Sequence, residues 1–195
     1  IMHREAGRMN RLVRDLLQLS RVEAEERVRP SDPVDLIGLI QMTLATLRAQ
    51  APAGGIEVRF DLPAERPTVP GGADQVTQVF HGLIENAIKY GAPHSVVRVV
   101  ITPVAGVSGP MVQVDVIDQG EGIPAIHLPR LTERFYRVDA HRSRERGGTG
   151  LGLALVSRIV ADHEGWISVD SGPGRTVFRI SLPRAAQNEL EQEKL

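Results

Sequence analysis

Gln75-Val76-Thr77-Gln78-Val79-Phe80-His81-Gly82-Leu83-Ile84-Glu85-Asn86-Ala87-Ile88-Lys89-Tyr90 is the stretch that decides the fold. Its apolar residues Val76, Val79, Phe80, Leu83, Ile84, Ala87 and Ile88 recur at the spacing of an amphipathic helix. On the opposite side Gln78, Gly82, Asn86 and Lys89 follow at steps of four, four and three, so a carboxamide and an ammonium project together. An amide oxygen suits a hard cation such as Mg²⁺, which keeps several of its waters, and a Lys meets phosphate charge. Any solvated helix face can carry the same pair, so the helix alone does not decide the chemistry. His81 and Glu85, four apart, supply only two metal-binding side chains with no third.

Downstream, Val112, Val114 and Val116 alternate along a strand, and the period of two puts Asp118 on the same apolar side. A carboxylate there is desolvated and needs either an internal donor or a ligand carrying N–H groups. Gly120 and Gly122 follow at once, leaving room for a flat ring to approach the backbone. A strand ending in Asp-x-Gly is also an ordinary turn. Further on, Gly147-Gly148-Thr149-Gly150-Leu151-Gly152-Leu153 opens another helix. Glycine-rich backbone entering a helix N-terminus offers free amides and a positive dipole end to an anion, although a plain hinge reads the same way. It matches neither the Walker nor the Rossmann pattern. Between these features Arg130, Arg134, Arg137, Arg142, Arg144 and Arg146 face Glu133, Asp139 and Glu145, a formal +3 that suits a cationic lid over a polyphosphate.

Working outward, Leu36 to Leu47 reads as a helix, Ile56 to Leu62 as a strand with one buried face, and Val96 to Ile101 and Met111 to Ile117 as strands. Leu151 to His163 reads as a helix stopped by Gly165, and Trp166 to Asp170 and Thr176 to Leu182 as strands joined by a turn. About five strands and three helices in hairpin-like order point to an α+β fold, a two-layer α/β sandwich. Before them, Met2, Ala6, Met9, Val13 and Leu16 form a narrow helical seam, widened by Leu12 and Leu19, that needs another helix to bury it. The expected units are this helix over residues 1–28, a linker over 29–35 marked by Pro30 and Pro33, the sandwich over 36–184 and a polar tail over 185–195.

Composition excludes several classes. The 195 residues are 42% hydrophobic and 24% charged, with 23 Lys and Arg against 24 Asp and Glu, so the uniform basic surface of a nucleic-acid binder is missing. Zero cysteines exclude a disulfide framework and thiol chemistry. Apolar runs do not exceed four residues, which predicts a soluble chain without membrane contact.

Taken in order, Glu85-Asn86-Ala87-Ile88-Lys89-Tyr90, Asp118-Gln119-Gly120-Glu121-Gly122-Ile123-Pro124, Glu133-Arg134-Phe135-Tyr136-Arg137 and Gly148-Thr149-Gly150-Leu151-Gly152-Leu153 resemble the N, first Gly, F and second Gly boxes of sensor histidine kinases. The leading segment, Glu5-Ala6-Gly7-Arg8-Met9 through Asp15-Leu16-Leu17-Gln18-Leu19-Ser20-Arg21, resembles the second helix of their dimerisation and phosphotransfer domain, in wording closest to phosphate-regulon sensors. The resemblance implies a Bergerat-type ATP-binding fold and the cofactors ATP and Mg²⁺. It implies that Asn86 ligates Mg²⁺, that Lys89 and Arg137 meet phosphates, and that Tyr90 packs near the adenine. Asp118 would accept from the adenine amino group, with Gly120, Gly122 and Ile123 lining the base pocket. Phe135 would anchor the lid, the amides of Gly148, Thr149, Gly150, Leu151, Gly152 and Leu153 would face phosphate, and Thr176 would sit near the adenine.

Three departures stand out. Gly82 occupies a position usually held by Asn, which removes a polar side chain from the phosphate end. The turn Ser171-Gly172-Pro173-Gly174-Arg175-Thr176 is a residue short of the usual wording. None of His3, His81, His94, His127, His141 and His163 has the sequence context of the phosphoacceptor, so the acceptor helix is expected to lie upstream of this piece. The resemblance implies as partners an acceptor helix of the same or a sister subunit, a response regulator and a homodimeric whole, with the parent anchored in the bacterial inner membrane and this part cytoplasmic. A non-catalytic nucleotide-binding module and a gyrase- or chaperone-like ATPase clamp are the alternatives.

Overall fold

A computed structural model of the chain describes residues 2–24, 32–50, 55–107, 109–138 and 148–185. The decisive stretch is α3, Ala73–Tyr90, and it bears the predicted stripe: Val76, Val79, Phe80, Leu83, Ile84 and Ala87 are buried. Asp74 in its first turn and Lys89 in its last complement the helix dipole. Its start has no side-chain cap: Gly72 stands extended before it, and its carbonyl accepts the Val76 N–H at 3.0 Å.

Three more helices and seven strands make up the rest of the described residues: α1 (Met2–Ala24), β1 (Pro33–Asp35), α2 (Leu36–Gln50), β2 (Glu57–Asp61), β3 (Thr68–Pro70), β4 (Val96–Gly106), β5 (Gly109–Asp118), α4 (Gly152–Asp162), β6 (Trp166–Gly172) and β7 (Arg175–Pro183), with a 3-10 turn at Ala125–Arg130. Five strands form one sheet in the order β2-β4-β5-β7-β6. β2 runs parallel to β4 and the other pairings are antiparallel, so the sheet is mixed. α2, α3 and α4 pack side by side on one face of it, with α3 in the middle against β4 and β5. Phe80, Leu83 and Ile84 meet Leu36 and Ile40 of α2, Ile159 of α4, and Val97, Val99, Val114, Val116 and Ile180 of the sheet in one continuous core. The other face of the sheet is covered by its own ion pairs, Arg59 to Glu57, Arg98 to Asp61 and Arg179 to Asp115, in place of a second helical layer. The two-layer sandwich read from the sequence is therefore the fold.

Two features differ from the sequence reading. Residues 33–35, read as linker, form β1 and pair antiparallel with β3, Val34 opposite Val69, as a ribbon beside the main sheet. The N-terminal stripe also splits in two. Leu19 and Val22 are buried in the core beside α4, whereas Met9, Val13 and Leu16 stay 65, 56 and 52% exposed. The two buried positions are three apart on one side of α1, and the exposed seam is on another. The polar tail over residues 186–195 lies outside the described residues.

Because Phe80 has no exposed surface and sits where three helices and the sheet converge, Phe80→Ala is expected to lower unfolding free energy by about 3–5 kcal/mol. Urea unfolding checks this, and a loss below about 1 kcal/mol would show that the site collapses around the missing ring.

Candidate functional site

β5 carries the valine alternation to its last residue and delivers Asp118 to the core side of the sheet, where it is only 4% exposed. Its Oδ1 accepts the Gly120 N–H at 2.8 Å. Oδ2 makes no hydrogen bond among the described residues. Burial pushes the Asp118 carboxyl above the usual aspartate range, and the Gly120 amide offsets only part of that push.

The loop after Asp118 is held in place by close backbone approaches. A Cβ on Gly120 would collide with the Tyr90 carbonyl oxygen at the end of α3 and come within 2.8 Å of Asp118 Oδ1. Gly122 has φ +86°, and a side chain there would run into the Gly172 carbonyl. The β6–β7 turn is a two-residue hairpin of Pro173 and Gly174, with Gly172 opposite Arg175. Although it is a residue short, it leaves Thr176 in register with Asp118 on one side and Ser171 on the other. Thr176 is 3% exposed, and its Oγ1 lies 2.8 Å from Ser171 Oγ. Ser171 Oγ also accepts the Ile123 N–H at 2.8 Å, which pins the first glycine motif to β6.

The helix face and the lid stem approach the same region. Asn86 is half-buried on α3 and its carboxamide makes no hydrogen bond among the described residues. The Lys89 ammonium stands 5.3 Å from the centroid of the Tyr90 ring. Tyr90 itself is 41% exposed. Phe135 fixes the lid stem by its backbone while its ring stays largely exposed: at φ +63° its N–H donates to the Gly150 carbonyl at 2.8 Å. A Cβ on Gly150, itself at φ +75°, would press on the Phe135 backbone. Arg137 is half-buried, with Nε and Nη2 shielded from solvent. Arg130 pairs with Glu133 at 3.0 Å and lies over the Tyr136 ring, whose hydroxyl is 2.6 Å from His127 Nδ1. Arg142, Arg144, Arg146, Asp139, Glu145 and Gly147 fall outside the described residues.

At the second glycine motif Leu151 is fully buried and anchors the start of α4. The Thr149 hydroxyl accepts the Leu151 N–H at 3.3 Å and donates to Asp15 Oδ2 of α1 at 2.6 Å. The Gln78 amide donates to Gln18 Oε1 at 2.8 Å, so α1 touches the motif and the polar side of α3 together. A Cβ on Gly82 would come within 3.3 Å of Val156 Cγ2 on α4, so a side chain at this position asks the Val156 methyl to shift slightly.

Asp15 and Ser171 were not singled out from the sequence. Ser171 had a readable signal, since it continues the inward alternation of Ile167 and Val169 in β6 as Asp118 does in β5. Asp15 had none, because its partner is 134 residues away.

Among the described residues no group of three or more His, Cys, Asp or Glu side chains is placed to hold a metal ion, and His81 and Glu85 stand 3.8 Å apart as a pair. The donor set therefore does not fit a metal held wholly by side chains. It does fit a Mg²⁺ bound mainly by phosphate oxygens and water with Asn86 as its protein ligand.

Residues 71–186 match the family described as histidine kinase-, DNA gyrase B-, and HSP90-like ATPase. The chain is similar to the phosphate regulon sensor protein PhoR of Pseudomonas aeruginosa, 39% identical over 98% of this chain and 42% of that protein. It is similar to the sensory histidine kinase/phosphatase NtrB of Rhodobacter capsulatus, 39% identical over 86% of this chain and 48% of that one. It thus spans less than half the length of these relatives. Among solved structures, full-length ShkA in complex with AMPPNP superposes with a TM-score of 0.75 at 29% identity, over 93% of this chain and 37% of that one.

With its folded pKa raised, Asp118 binds its proton more readily folded than unfolded, so it takes away stability as pH rises through the window between the two values. Asp118→Asn is therefore expected to raise the melting temperature at neutral pH, with the gain shrinking toward about pH 4. The same variant is expected to lose roughly 10- to 100-fold in affinity for an adenine nucleotide, the worth of one charge-assisted hydrogen bond. A melting temperature that falls at neutral pH would contradict the first expectation.

Proposed function

Since the chain belongs to the histidine kinase-, DNA gyrase B-, and HSP90-like ATPase family, we propose that it binds ATP with Mg²⁺ and delivers the γ-phosphoryl to a histidine on an upstream helix of the same or a sister subunit. The observation that carries this reading is Asp118, a buried carboxylate with an oxygen open to a donor, beside a loop whose two glycines let its backbone close against Tyr90 and Gly172. The AMPPNP complex of ShkA, a structure similar over nearly the whole of this chain, supports the choice of nucleotide.

Adenine enters between the Asp118 loop and Tyr90, and its amino group donates to Asp118, while Ile123, pinned by Ser171, lines the pocket. The amides from Gly148 to Leu153 at the head of α4 face the phosphates, with Lys89 and Arg137 adding positive charge. Mg²⁺ would supply neutralisation of the negative charge that grows on the leaving ADP. Asn86 would hold it. The acceptor imidazole nitrogen attacks the γ-phosphorus as the bond to the bridging oxygen of ADP breaks. The protein's contribution is alignment and charge neutralisation.

The exposed Met9, Val13 and Leu16 seam supports a second role for α1 as part of a dimerisation bundle. A response regulator is the next acceptor in the system we propose. No described helix is long and apolar enough to cross a membrane. We place this part in the cytoplasm and the membrane anchor of the parent elsewhere in its chain.

Calorimetric titration with a non-hydrolysable ATP analogue, with and without Mg²⁺, tests the site. Binding strengthened by Mg²⁺ is expected, and Asn86→Ala is expected to remove most of that strengthening while changing Mg²⁺-free affinity by less than about threefold. No binding in either condition would refute the proposal. A chain extended upstream through the acceptor helix is expected to label itself from γ-labelled ATP with acid-labile phosphate, and its failure to do so would refute the transfer step alone.

A further inference from the structure

Ser171, at the head of the shortened turn, completes a row of polar side chains on the buried side of the sheet. Asp118 in β5 is in register with Thr176 in β7, and Thr176 with Ser171 in β6. Cross-strand neighbours on one face have Cβ atoms about 4.5–5.5 Å apart. The Ile123 N–H donates to Ser171 Oγ, and Ser171 Oγ is hydrogen-bonded to Thr176 Oγ1.

We propose that Ser171 is a positioning residue that sets the base preference of the nucleotide pocket, by fixing the Thr176 hydroxyl as a hydrogen-bond donor beside the Asp118 acceptor. The inference rests on the nucleotide reading of that pocket. A serine hydroxyl has one proton and two lone pairs, and the Ile123 amide takes one lone pair. If Thr176 donated to Ser171, the Ser171 proton would have no acceptor among the described residues and Thr176 would have used its own. If Ser171 donates to Thr176, the proton left over is the one on Thr176, and the bonds from amide to serine to threonine run in one direction and reinforce one another, which favours this arrangement. Thr176 is then left with its proton to offer. No hydrogen bond joins Thr176 to Asp118, so the row ends as a donor standing next to an acceptor.

That pair has the polarity of an adenine edge. Adenine presents its amino group as donor and N1 as acceptor, which match Asp118 and Thr176. Guanine and hypoxanthine present O6 as acceptor and N1–H as donor, which oppose both. Their O6 would face a carboxylate that has no proton to give, so discrimination comes from a mismatched contact as well as from a good one. Asp118 alone cannot enforce this, because a threonine hydroxyl free to rotate could accept from N1–H as readily as it donates to N1.

The test is the affinity of non-hydrolysable ATP, GTP and ITP analogues for the wild-type chain and for Ser171→Ala, Ser171→Thr and Thr176→Val, with melting curves confirming that each is folded. The wild type is expected to prefer ATP. Ser171→Ala is expected to narrow the ATP-to-GTP and ATP-to-ITP ratios by about tenfold, and Ser171→Thr, which keeps the hydroxyl, to retain them. Thr176→Val is expected to narrow them as Ser171→Ala does, and the double variant to narrow them no further, as members of one chain should. If Ser171→Ala weakens all three nucleotides equally, Ser171 is only structural and the inference is overturned. If Ser171→Ala does not fold, unchanged ratios in Thr176→Val overturn it equally. A wild type that binds no adenine nucleotide would instead refute the nucleotide reading itself, and this inference with it.

Discussion

The constraint on which the rest depends is the burial of one carboxylate. Asp118 occupies a place in β5 where the alternation calls for another valine, and only the Gly120 amide meets it from inside the protein. A buried charge with so little compensation is kept at a cost to stability. Its surroundings follow from that placement. Gly120 must lack a side chain to bring its amide under the carboxylate and against the end of α3, and Gly122 must turn through positive φ past the β6–β7 hairpin. The loop after Asp118 is thus set by backbone contacts on both sides, from Tyr90 and from Gly172.

α3 links this pocket to the rest of the site. Its apolar stripe fixes the helix against the sheet, α2 and α4, and that fixed rotation carries Asn86 and Lys89 to the side where the glycine motifs lie. Gly82, on the same helix, lies against Val156 of α4. α1 reaches the site by a different route, through Leu19 and Val22 in the core and through the Asp15 contact to Thr149, while its other apolar seam remains exposed. One helix therefore presents one side to the core beside α4 and leaves another exposed.

How much of this was legible depended on whether the signal was local. The periodicity of residues 75–90 placed α3 to within two residues at its start, and the valines before Asp118 fixed both the strand and the inward direction of the acid. The β1–β3 ribbon was not legible, since three-residue strands bounded by Pro33 and Pro70 show no period and pair across more than thirty positions. The far end of the β4–β5 hairpin was missed because residues beyond Ile101 extend past β2 and lose the buried alternation. In the site, motif wording named the residues but not their manner of acting. Phe135 holds the lid stem by its amide, Lys89 stands over Tyr90, and the serine that ties the pocket together was visible only as a polar residue in an apolar register.

The most direct test of the central claim is carboxyl carbon NMR of Asp118, titrated against pH with and without a saturating non-hydrolysable ATP analogue. The account predicts a midpoint above the ordinary aspartate range in the free protein that moves down when nucleotide binds, because a ligand that prefers the ionised form must lower the pKa of its receptor. An ordinary or lowered midpoint in the free protein, or one that saturating nucleotide leaves in place, would contradict it.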